Sequence, residues 1–403
     1  MAHNLFLYDL AIVAVMKNEA PYLKEWLDYH LLAGVDHFYI YDNDSTDNQA
    51  EVAAPYIAKG LVDYIPFSGE AVQYLVYNDA INRFKFQCRY MAFIDADEFI
   101  FPKNNQSIVE VVDDIFISVH RTASLIVHWQ HFGSNGQEKA DYSKGVLERF
   151  TKRAEVNWTY LGGGNTSFKP IFNPRLIDFV PNCHRLAYLA DYHAINERGV
   201  KIPDASRFND ISTKKIVINH YHCKSWEEFS KRKLRGSVMF FNGNKYNRTR
   251  FDNYDKNDVF DDGILKYRDE RAKCYQSHEF AQDKQRLFDG TKSILTNCPP
   301  GKRNMETFLT CAANGYYLHS RGLIELALRN IFALLYNKPD LSDALLFVKN
   351  LTLVLKVSRD FDYDFKHFAI DVIPQLMTHM HSVSNWQQYS NLDFIRRLLL
   401  SKG

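Results

Sequence analysis

Short apolar runs alternate with amphipathic segments along the first hundred residues. Four runs are typical of buried strands, at residues 10–16, 37–41, 61–65 and 90–94. A helix is predicted after each of the first three runs. The first helix has apolar positions at helical spacing from Leu23 to Leu31, the second ends at Lys59, and the third spans Val72 to Phe86. Gly34 and Gly60 suit the ends of the first two helices. This alternation predicts a mostly parallel sheet flanked by helices, an α/β fold.

The middle of the chain continues this pattern less regularly. We predict a helix over residues 107–120, a strand over 123–129 and a further strand over 214–223. His220 and His222 occupy alternate positions of that last strand, so they share one of its faces. A basic helix is predicted over residues 226–235.

From about Leu318 the chain becomes helical in character. Apolar stripes occur within residues 323–334, 345–355 and 394–399. We therefore predict two domains, an α/β domain over 1–298 and a C-terminal helical region over 299–403. The stripes must pack against the first domain or against a second copy of the chain, so an oligomer formed through these helices is one expectation.

Composition excludes several classes of protein. The net charge of +1 gives no sign of a nucleic-acid partner. Six scattered cysteines without a CxxC pair argue against a zinc ribbon or a disulfide scaffold, and favour the reducing cytoplasm. No apolar stretch reaches the length of a transmembrane segment, so we expect at most peripheral contact with the inner face of a membrane.

Acidic residues follow the second and the fourth predicted strand. Asp95, Asp97 and Glu98 come directly after residues 90–94, and a polar turn from Asp42 to Asp47 follows residues 37–41. Parallel strands open at the same edge of a sheet, where ligands bind in this fold class. Clustered carboxylates suit hard divalent cations, although a polar exit from a strand would look the same. No GxGxxG or P-loop motif occurs nearby.

Three segments together resemble glycosyltransferase family 92, relatives of the large family 2 with a GT-A fold. They are KNEAPYLKEWLDYHLLAGVDHFYIYDNDSTDN, FIDADEF and NHYHCKSWEEF, and the likeness covers roughly residues 10–235. The resemblance implies transfer of a sugar from a nucleotide sugar, usually UDP-linked, with inversion at the anomeric carbon. The acceptor would be a glycan or a lipid-linked hydroxyl compound, and bacterial surface polysaccharide synthesis is the expected role.

The resemblance also implies a cation site and a nucleotide site. Asp97 would bind Mn²⁺ or Mg²⁺, Asp95 would contact the ribose or the metal, and His220 would be a further ligand, with His222 as its alternative. Glu98 would ligate through water or cap the loop. The expected nucleotide-binding residues are Asn18, Glu19, Asp42, Asp44, Gln73, Asn78 and Asp95. For Asp42 and Asp44, capping of the following helix is the alternative.

An inverting transferase needs a general base, and the sequence leaves it open between Glu148, Glu155 and Asp191. The Trp129 to Gly136 segment resembles one that borders the acceptor. Lys169 or Arg175 would contact phosphate, while His184 would be either functional or structural. Two alternatives stand beside this interpretation. A nucleotidyltransferase would use a similar acidic site, and a sugar-nucleotide-binding protein without catalysis would keep only the binding function.

Overall fold

The computed structural model describes residues 5–161, 163–189, 191–235, 246–275, 284–336 and 341–360, with 373–374, 377–378 and 393. The chain forms two compact units. One comprises Tyr8–Tyr188 and Tyr192–Ala281, and the other comprises Met1–Leu7, Leu189–Asp191 and Gln282–Gly403. The predicted domain boundary at 298 falls later than this division, because the helix at Lys284–Asn297 packs with the helices that follow it.

The first half of the larger unit alternates strand and helix as predicted. Its strands are β1 (Tyr8–Met16), β2 (His37–Asp42), β3 (Val62–Pro66) and β4 (Cys88–Phe93). The intervening helices are α1 (Ala20–Leu32), α2 (Gln49–Ala58) and α3 (Gln73–Phe84). All four strands are parallel, in the order β3-β2-β1-β4. The carboxyl ends of β2 and β4 therefore open at one edge, which confirms the expectation from the acidic segments.

The remaining strands make the sheet mixed. They are β5 (Glu98–Pro102), β6 (Thr122–His131), β7 (Lys152–Arg153), β8 (Phe168–Phe172), β9 (Ile177–Asn182), β10 (Arg185–Tyr188), β11 (His193–Ile195), β12 (Ile216–His220) and β13 (Val259–Phe260). The sheet continues β4-β8-β6-β12-β5, and β11 pairs with the beginning of β6. Strand β8 is antiparallel to both of its neighbours, and β5 is antiparallel to β12. Separate two-stranded ladders join β9 to β10 and β7 to β13.

Helices complete this unit. They are α4 (Ile108–Phe116), α5 (Val146–Arg149), α6 (Trp226–Arg235), α7 (Arg248–Tyr254) and α8 (Gly263–Cys274). The predicted strand over 214–223 ends earlier than expected, so His222 follows β12 rather than lying on it.

A short connection forces the sheet to curl. Strands β4 and β5 lie four positions apart, which in a flat sheet would separate them by about 19 Å. Only residues 94–97 connect them, and the Glu98 N–H donates to the Asp95 carbonyl at 3.1 Å, which closes a turn. Such a connection spans at most about 14 Å. The sheet must therefore bend until β5 and β12 approach the carboxyl end of β4.

Side chains of α1 cover the outer edge of β5. The Trp26 indole N–H donates to the Glu98 carbonyl, and the Tyr29 hydroxyl donates to the Ile100 carbonyl, each at 2.9 Å. The Ile100 N–H donates to Nε2 of the buried His30 at 3.2 Å. Backbone groups on an edge strand need partners once they are buried. Helix α1 supplies them, and it thereby fixes the strand that begins at Glu98.

The second unit is helical. Its described helices are α9 (Lys284–Asn297), α10 (Met305–Tyr317), α11 (Arg321–Tyr336), α12 (Leu341–Lys349) and α13 (Leu351–Asp360). The predicted stripes of residues 323–334 and 345–355 bury most of their apolar side chains, and the stripe of 394–399 lies outside the described residues. In the described part of the chain, no helix is long and apolar enough to span a membrane. Oligomer formation through these helices stays a prediction.

Two glycines that end helices provide a matched test of the fold. Gly34 has φ of +95°, and a Cβ there would lie 2.7 Å from Cβ of Ser107, whereas Gly60 has φ of +71° with open space around it. We expect Gly60→Ala to lower the free energy of unfolding by about 1 kcal/mol, the cost of left-handed backbone. Gly34→Ala should cost more, about 2–4 kcal/mol, because it adds the steric clash. Urea denaturation measures both values, and equal losses would contradict a steric role for Gly34.

Candidate active site

The turn after β4 directs its carboxylates to two different places. The Asp95 N–H donates to Oε2 of Glu98 at 2.8 Å, and the Asp97 carbonyl accepts from the Tyr221 N–H at 2.8 Å. These bonds hold the turn against the end of β12. Within it, Asp95 is half-buried, Asp97 is nearly buried and Glu98 is fully buried. Three adjacent acids at this burial require positive partners, and the structure supplies one on each side.

Lys169 neutralises the Asp95 side of the turn. This fully buried residue of β8 donates from Nζ to Oδ2 of Asp95 at 2.9 Å and lies 3.7 Å from Oε2 of Glu98. Burial alone would lower the pKa of Lys169, but Asp95 and then Glu98 hold it well above its usual value. Burial raises the pKa of Glu98 well above its usual range, and Lys169 offsets part of that effect. Gln73 donates to the other Asp95 oxygen at 2.8 Å.

Arg232 neutralises the Asp97 side. The α6 guanidinium donates from Nη2 to Oδ2 of Asp97 at 2.7 Å, and Nε2 of His220 lies 3.6 Å from Oδ1. Burial by itself raises the pKa of Asp97. Arg232 and then His220 outweigh burial, so the pKa of Asp97 lies well below its usual value. Asp97 is therefore a buried, ionised carboxylate with one oxygen turned toward a histidine.

Asp97, His220 and His222 form a candidate metal group. Their ligand atoms all lie within 4.8 Å of one another. Nδ1 of His220 and Nε2 of His222 are buried without a hydrogen-bond partner. Burial, followed by the charges of Arg232 and His220, lowers the pKa of His222 well below its usual value, so its imidazole is neutral, as a metal ligand must be.

The donor set fits a divalent transition-metal ion. One carboxylate and two imidazoles combine an oxygen donor with two nitrogen donors, which suits such an ion better than Mg²⁺. Of the two ions predicted from the sequence, Mn²⁺ is therefore the better match. Asp95 does not belong to this group, because its oxygens face Gln73 and Lys169. The predicted metal role of Asp95 thus lacks support from the geometry.

Two further residues of the sequence interpretation have structural partners. Nδ1 of His184 lies 2.8 Å from the Phe168 carbonyl oxygen, and its ring packs on Trp129. The Arg175 guanidinium donates to the carbonyls of Lys85, Cys88 and Arg89, where β4 begins. Arg175 therefore lies at the opposite end of β4 from Asp95, and the expectation that it contacts phosphate at this site is wrong. The other candidate, Lys169, contacts Asp95 instead.

The polar residues after β1 and β2 tie neighbouring loops together. Oδ1 of Asn18 accepts from the Thr46 N–H at 2.7 Å, and Oδ1 of Asp42 accepts from the Ser45 N–H at 3.2 Å. Exposed Asp44 accepts from the Ser68 hydroxyl at 2.6 Å, a bond that lowers its pKa. Both aspartates therefore stabilise loops, but neither caps α2, whose N-cap residue is Asn48 and which has no side-chain cap hydrogen bond. The loops after β1, β2 and β3 meet at the edge where β4 ends.

Two other predicted nucleotide contacts differ in their surroundings. Glu19 is buried at the end of β1, and its backbone N–H donates to Oε1 of Gln49 at 3.0 Å. The Asn78 amide donates to the Tyr74 and Val180 carbonyls and accepts from the Val180 N–H. Asn78 thus joins α3 to β9. Its side chain is already engaged, so the expected role of Asn78 in nucleotide binding lacks support from the geometry.

None of the predicted general bases is part of the metal group. Glu148 lies in α5, 3.3 Å from Nη1 of Arg268, and borders a groove of about 370 Å³ that Tyr22 and Tyr142 also line. Glu155 is exposed. Asp191 belongs to the other compact unit.

Aromatic rings surround the two histidines. The Trp129 ring centroid lies 4.3 Å from that of His220, and the Tyr254 centroid lies 5.0 Å from that of His222. His131 packs against both His220 and Trp158. Nε1 of Trp129 is buried without a hydrogen-bond partner. The beginning of the Trp129 to Gly136 segment therefore borders the metal group.

Sequence reasoning missed two cations that lower the pKa of Asp97, Arg232 and Lys224. The sequence predicts Arg232 only as part of a basic helix, yet this residue comes three positions after buried Phe229 and so shares its face. Lys224 lies in the NHYHCKSWEEF segment, with its Nζ 4.3 Å from the Tyr22 ring centroid. Burial and then Arg232 lower the pKa of Lys224 to about 8. The position of Arg232 on the apolar face of a predicted helix is the feature of the sequence that indicates a buried cation.

A buried ion pair fixes the start of α6. Arg149 donates two hydrogen bonds to the Glu228 carboxylate, at 2.8 and 2.9 Å. The Ser225 hydroxyl and the Tyr22 hydroxyl donate to the same carboxylate, at 2.6 and 2.9 Å. Burial alone would raise the pKa of Glu228, but these bonds lower it to about 2. The helix that carries Arg232 is thereby held to α1 and α5.

The sequence model of glycosyltransferase family 92 matches residues 13–264. A family 92 protein of Oryza sativa subsp. japonica is 26% identical over 237 residues, which is 58% of this chain and 36% of that protein. A galactan beta-1,4-galactosyltransferase of Arabidopsis thaliana is 32% identical over 100 residues, or 22% of this chain and 19% of that protein. The chain thus spans little more than a third of the family 92 relative.

Among solved structures, the TarS 1–349 fragment of S. aureus in complex with UDP aligns with 88% of this chain and 91% of its own. The TM-score is 0.29 and the sequence identity is 11%. The family assignment instead comes from the sequence match, which covers more than half of the chain and includes both the Asp95–Glu98 turn and the NHYHCKSWEEF segment. The curled mixed sheet is the GT-A type of α/β fold that the resemblance implied, and the chain belongs to glycosyltransferase family 92.

Proposed function

We propose that this chain is a cation-dependent, inverting glycosyltransferase that moves a sugar from a UDP-linked donor to a hydroxyl group of a glycan or lipid-linked acceptor. The observation that carries the proposal is the group formed by Asp97, His220 and His222 at the edge where β4 and β12 end. Two family segments far apart in sequence supply these residues. Family membership supports the reaction class, and the arrangement of these three side chains supports a cation site.

The reaction requires stabilisation of the negative charge on the diphosphate leaving group. The acceptor oxygen attacks the anomeric carbon, the bond from that carbon to the diphosphate breaks, and negative charge develops on the departing diphosphate. When bound, Mn²⁺ would neutralise part of this charge. Asp97, His220 and His222 would hold the ion, and Arg232 keeps Asp97 ionised.

The nucleoside fits the neighbouring loops. Asn18, Asp42 and Asp44 lie where the loops after β1 and β2 meet, and Asp95 stays partly exposed beside them. Lys169 and Gln73 orient the Asp95 carboxylate and keep it from the metal group. We therefore assign Asp95 to a ribose hydroxyl, since a carboxylate accepts such hydrogen bonds. Buried Glu19 would complete this pocket.

The acceptor belongs on the aromatic side of the site. Trp129 and Tyr254 present amphipathic rings beside the metal group, and the Trp129 indole N–H can donate to a sugar hydroxyl. The proposal includes a role in bacterial surface polysaccharide synthesis and a cytoplasmic location at the inner face of the membrane. Product analysis with defined acceptors would test the role in polysaccharide synthesis, and fractionation of cells would test the location at the membrane.

Product analysis also separates the alternatives. A nucleotidyltransferase would release pyrophosphate and form a nucleotide sugar, whereas the proposed enzyme releases UDP and forms a glycoside. A protein that only binds the donor would be stabilised by it without forming either product.

Donor binding should depend on the cation. The acidic turn and a diphosphate are both negative, so they need a positive ion between them. We expect UDP to raise the melting temperature strongly with Mn²⁺, less with Mg²⁺, and little in excess chelator. Differential scanning fluorimetry with UDP, UDP-sugars and cation-only controls measures this. Equal stabilisation in chelator would remove the cation from the proposal.

Asp97→Asn should abolish most activity without unfolding the protein. The amide keeps the shape of the carboxylate but removes its charge, so transfer should fall at least about a hundredfold. The matched control is Asp113→Asn, since Asp113 also pairs with an arginine, Arg89, but lies on α4. Turnover of the control should stay near wild type. Wild-type turnover by Asp97→Asn would refute the central assignment.

His220→Ala and His222→Ala should each weaken Mn²⁺ binding, because each removes one nitrogen donor. We expect the larger loss for His220, which lies beside Asp97. Isothermal titration with Mn²⁺ alone gives the affinities without any turnover. His184→Ala is the control, since its ring nitrogen faces the Phe168 carbonyl. Unchanged Mn²⁺ affinity in both variants would exclude this group as the site.

A further inference from the structure

Lys224 places a buried cation beside the metal group. The residue is 2% exposed, and its Nζ lies over the Tyr22 ring. In the part of the chain that the structure describes, no hydrogen-bond acceptor contacts this ammonium group. Removing an ammonium ion from water is unfavourable, and a cation–π contact offsets only part of that cost. The protein alone therefore leaves the charge of Lys224 incompletely compensated.

The backbone of Lys224 is also unfavourable for a lysine. Its φ is +51°, in the left-handed region that glycine or asparagine adopts more readily. The residue lies in the short connection between β12 and α6, where glycine would avoid this strain. Strain of this kind at a candidate site suggests that the side chain itself is needed.

Geometry locates the ammonium group within the site. Lys224 follows His222 of the metal group by two residues, and its Nζ lies over the ring of Tyr22, which comes three residues after Glu19 and belongs to α1. Lys224 therefore lies between the loop after β1 and the metal group, where Asp97, Glu19 and Glu228 attract its charge and Arg232 repels it. A diphosphate that joins a nucleoside to a bound cation must pass through this region. Asp97 is already engaged by Arg232, which leaves Lys224 available to an anionic ligand.

We propose that the Lys224 ammonium group binds the terminal phosphate of the nucleoside diphosphate. This inference rests on the function proposed above. As the anomeric carbon–oxygen bond breaks, its electron pair passes to that phosphate, and the proton of the acceptor hydroxyl passes to the general base. Lys224 donates hydrogen bonds to the phosphate and keeps its own proton. It thus stabilises charge on the same leaving group as the cation, from the side of β1.

Comparison of UDP with UMP tests this assignment, because UMP lacks the terminal phosphate. Isothermal titration in saturating Mn²⁺ would give dissociation constants for wild type, Lys224→Asn and Lys224→Gly. Both replacements tolerate a positive φ, so both variants should fold, and their melting temperatures without nucleotide check this. We expect UDP affinity to fall at least about tenfold in each variant, the scale of a charged hydrogen bond, while UMP affinity changes less than about twofold.

Lys231→Asn is the matched control, since Lys231 is an exposed lysine of α6 paired with Glu227. Its preference for UDP over UMP should equal that of wild type. Loss of the preference in both Lys224 variants supports the assignment. A preference that survives in either folded Lys224 variant overturns it while leaving the proposed function intact. Wild-type protein that binds neither nucleotide would refute the proposed function itself.

Discussion

Two buried cations neutralise opposite sides of one acidic turn, and the rest of the site depends on this arrangement. Asp95, Asp97 and Glu98 follow each other almost directly, and they would repel one another if they shared one environment. Lys169 holds Asp95 and approaches Glu98, whereas Arg232 holds Asp97. Each carboxylate therefore remains close to a positive charge despite its burial. The same division separates the candidate nucleoside side of the site from the candidate metal side.

The strands and helices of the larger unit hold these charged residues in position. Lys169 comes from the antiparallel strand β8, inserted between β4 and β6, and Arg232 comes from α6, which the Arg149–Glu228 pair anchors. The short link from β4 to β5 curls the sheet, and the side chains of α1 then hold β5 in place. The curl brings the end of β12 to the acidic turn, where the Tyr221 N–H meets the Asp97 carbonyl. Loss of any of these contacts would move His220 relative to Asp97.

Several of the site's polar atoms lack partners within the described protein. Oε1 of Glu98, Oε1 of Gln73, Nε1 of Trp129 and ring nitrogens of His220 and His222 are buried in this state. Buried polar atoms without partners are costly, and native proteins keep them mainly where a ligand, an ion or water binds. Their concentration near the ends of β4, β6 and β12 agrees with the site inferred from the family segments.

The sequence by itself determined the parallel half of the sheet, the edge where the acidic turn opens, and the approach of His220 to that turn. Continuous apolar strands, helix-ending glycines and three family segments are local features, so they can be read without coordinates. The tertiary structure alone decided that β8 and β5 make the sheet mixed and that Arg175 lies at the far end of β4. It also decided that Asp95 faces Lys169, that Asp97 faces Arg232, and that Lys224 lies over the Tyr22 ring. The physical reason is that a charged side chain has no periodic signal that identifies its partner. Its partner depends on how strands and helices distant in sequence pack, and here that packing follows from the curl of the sheet.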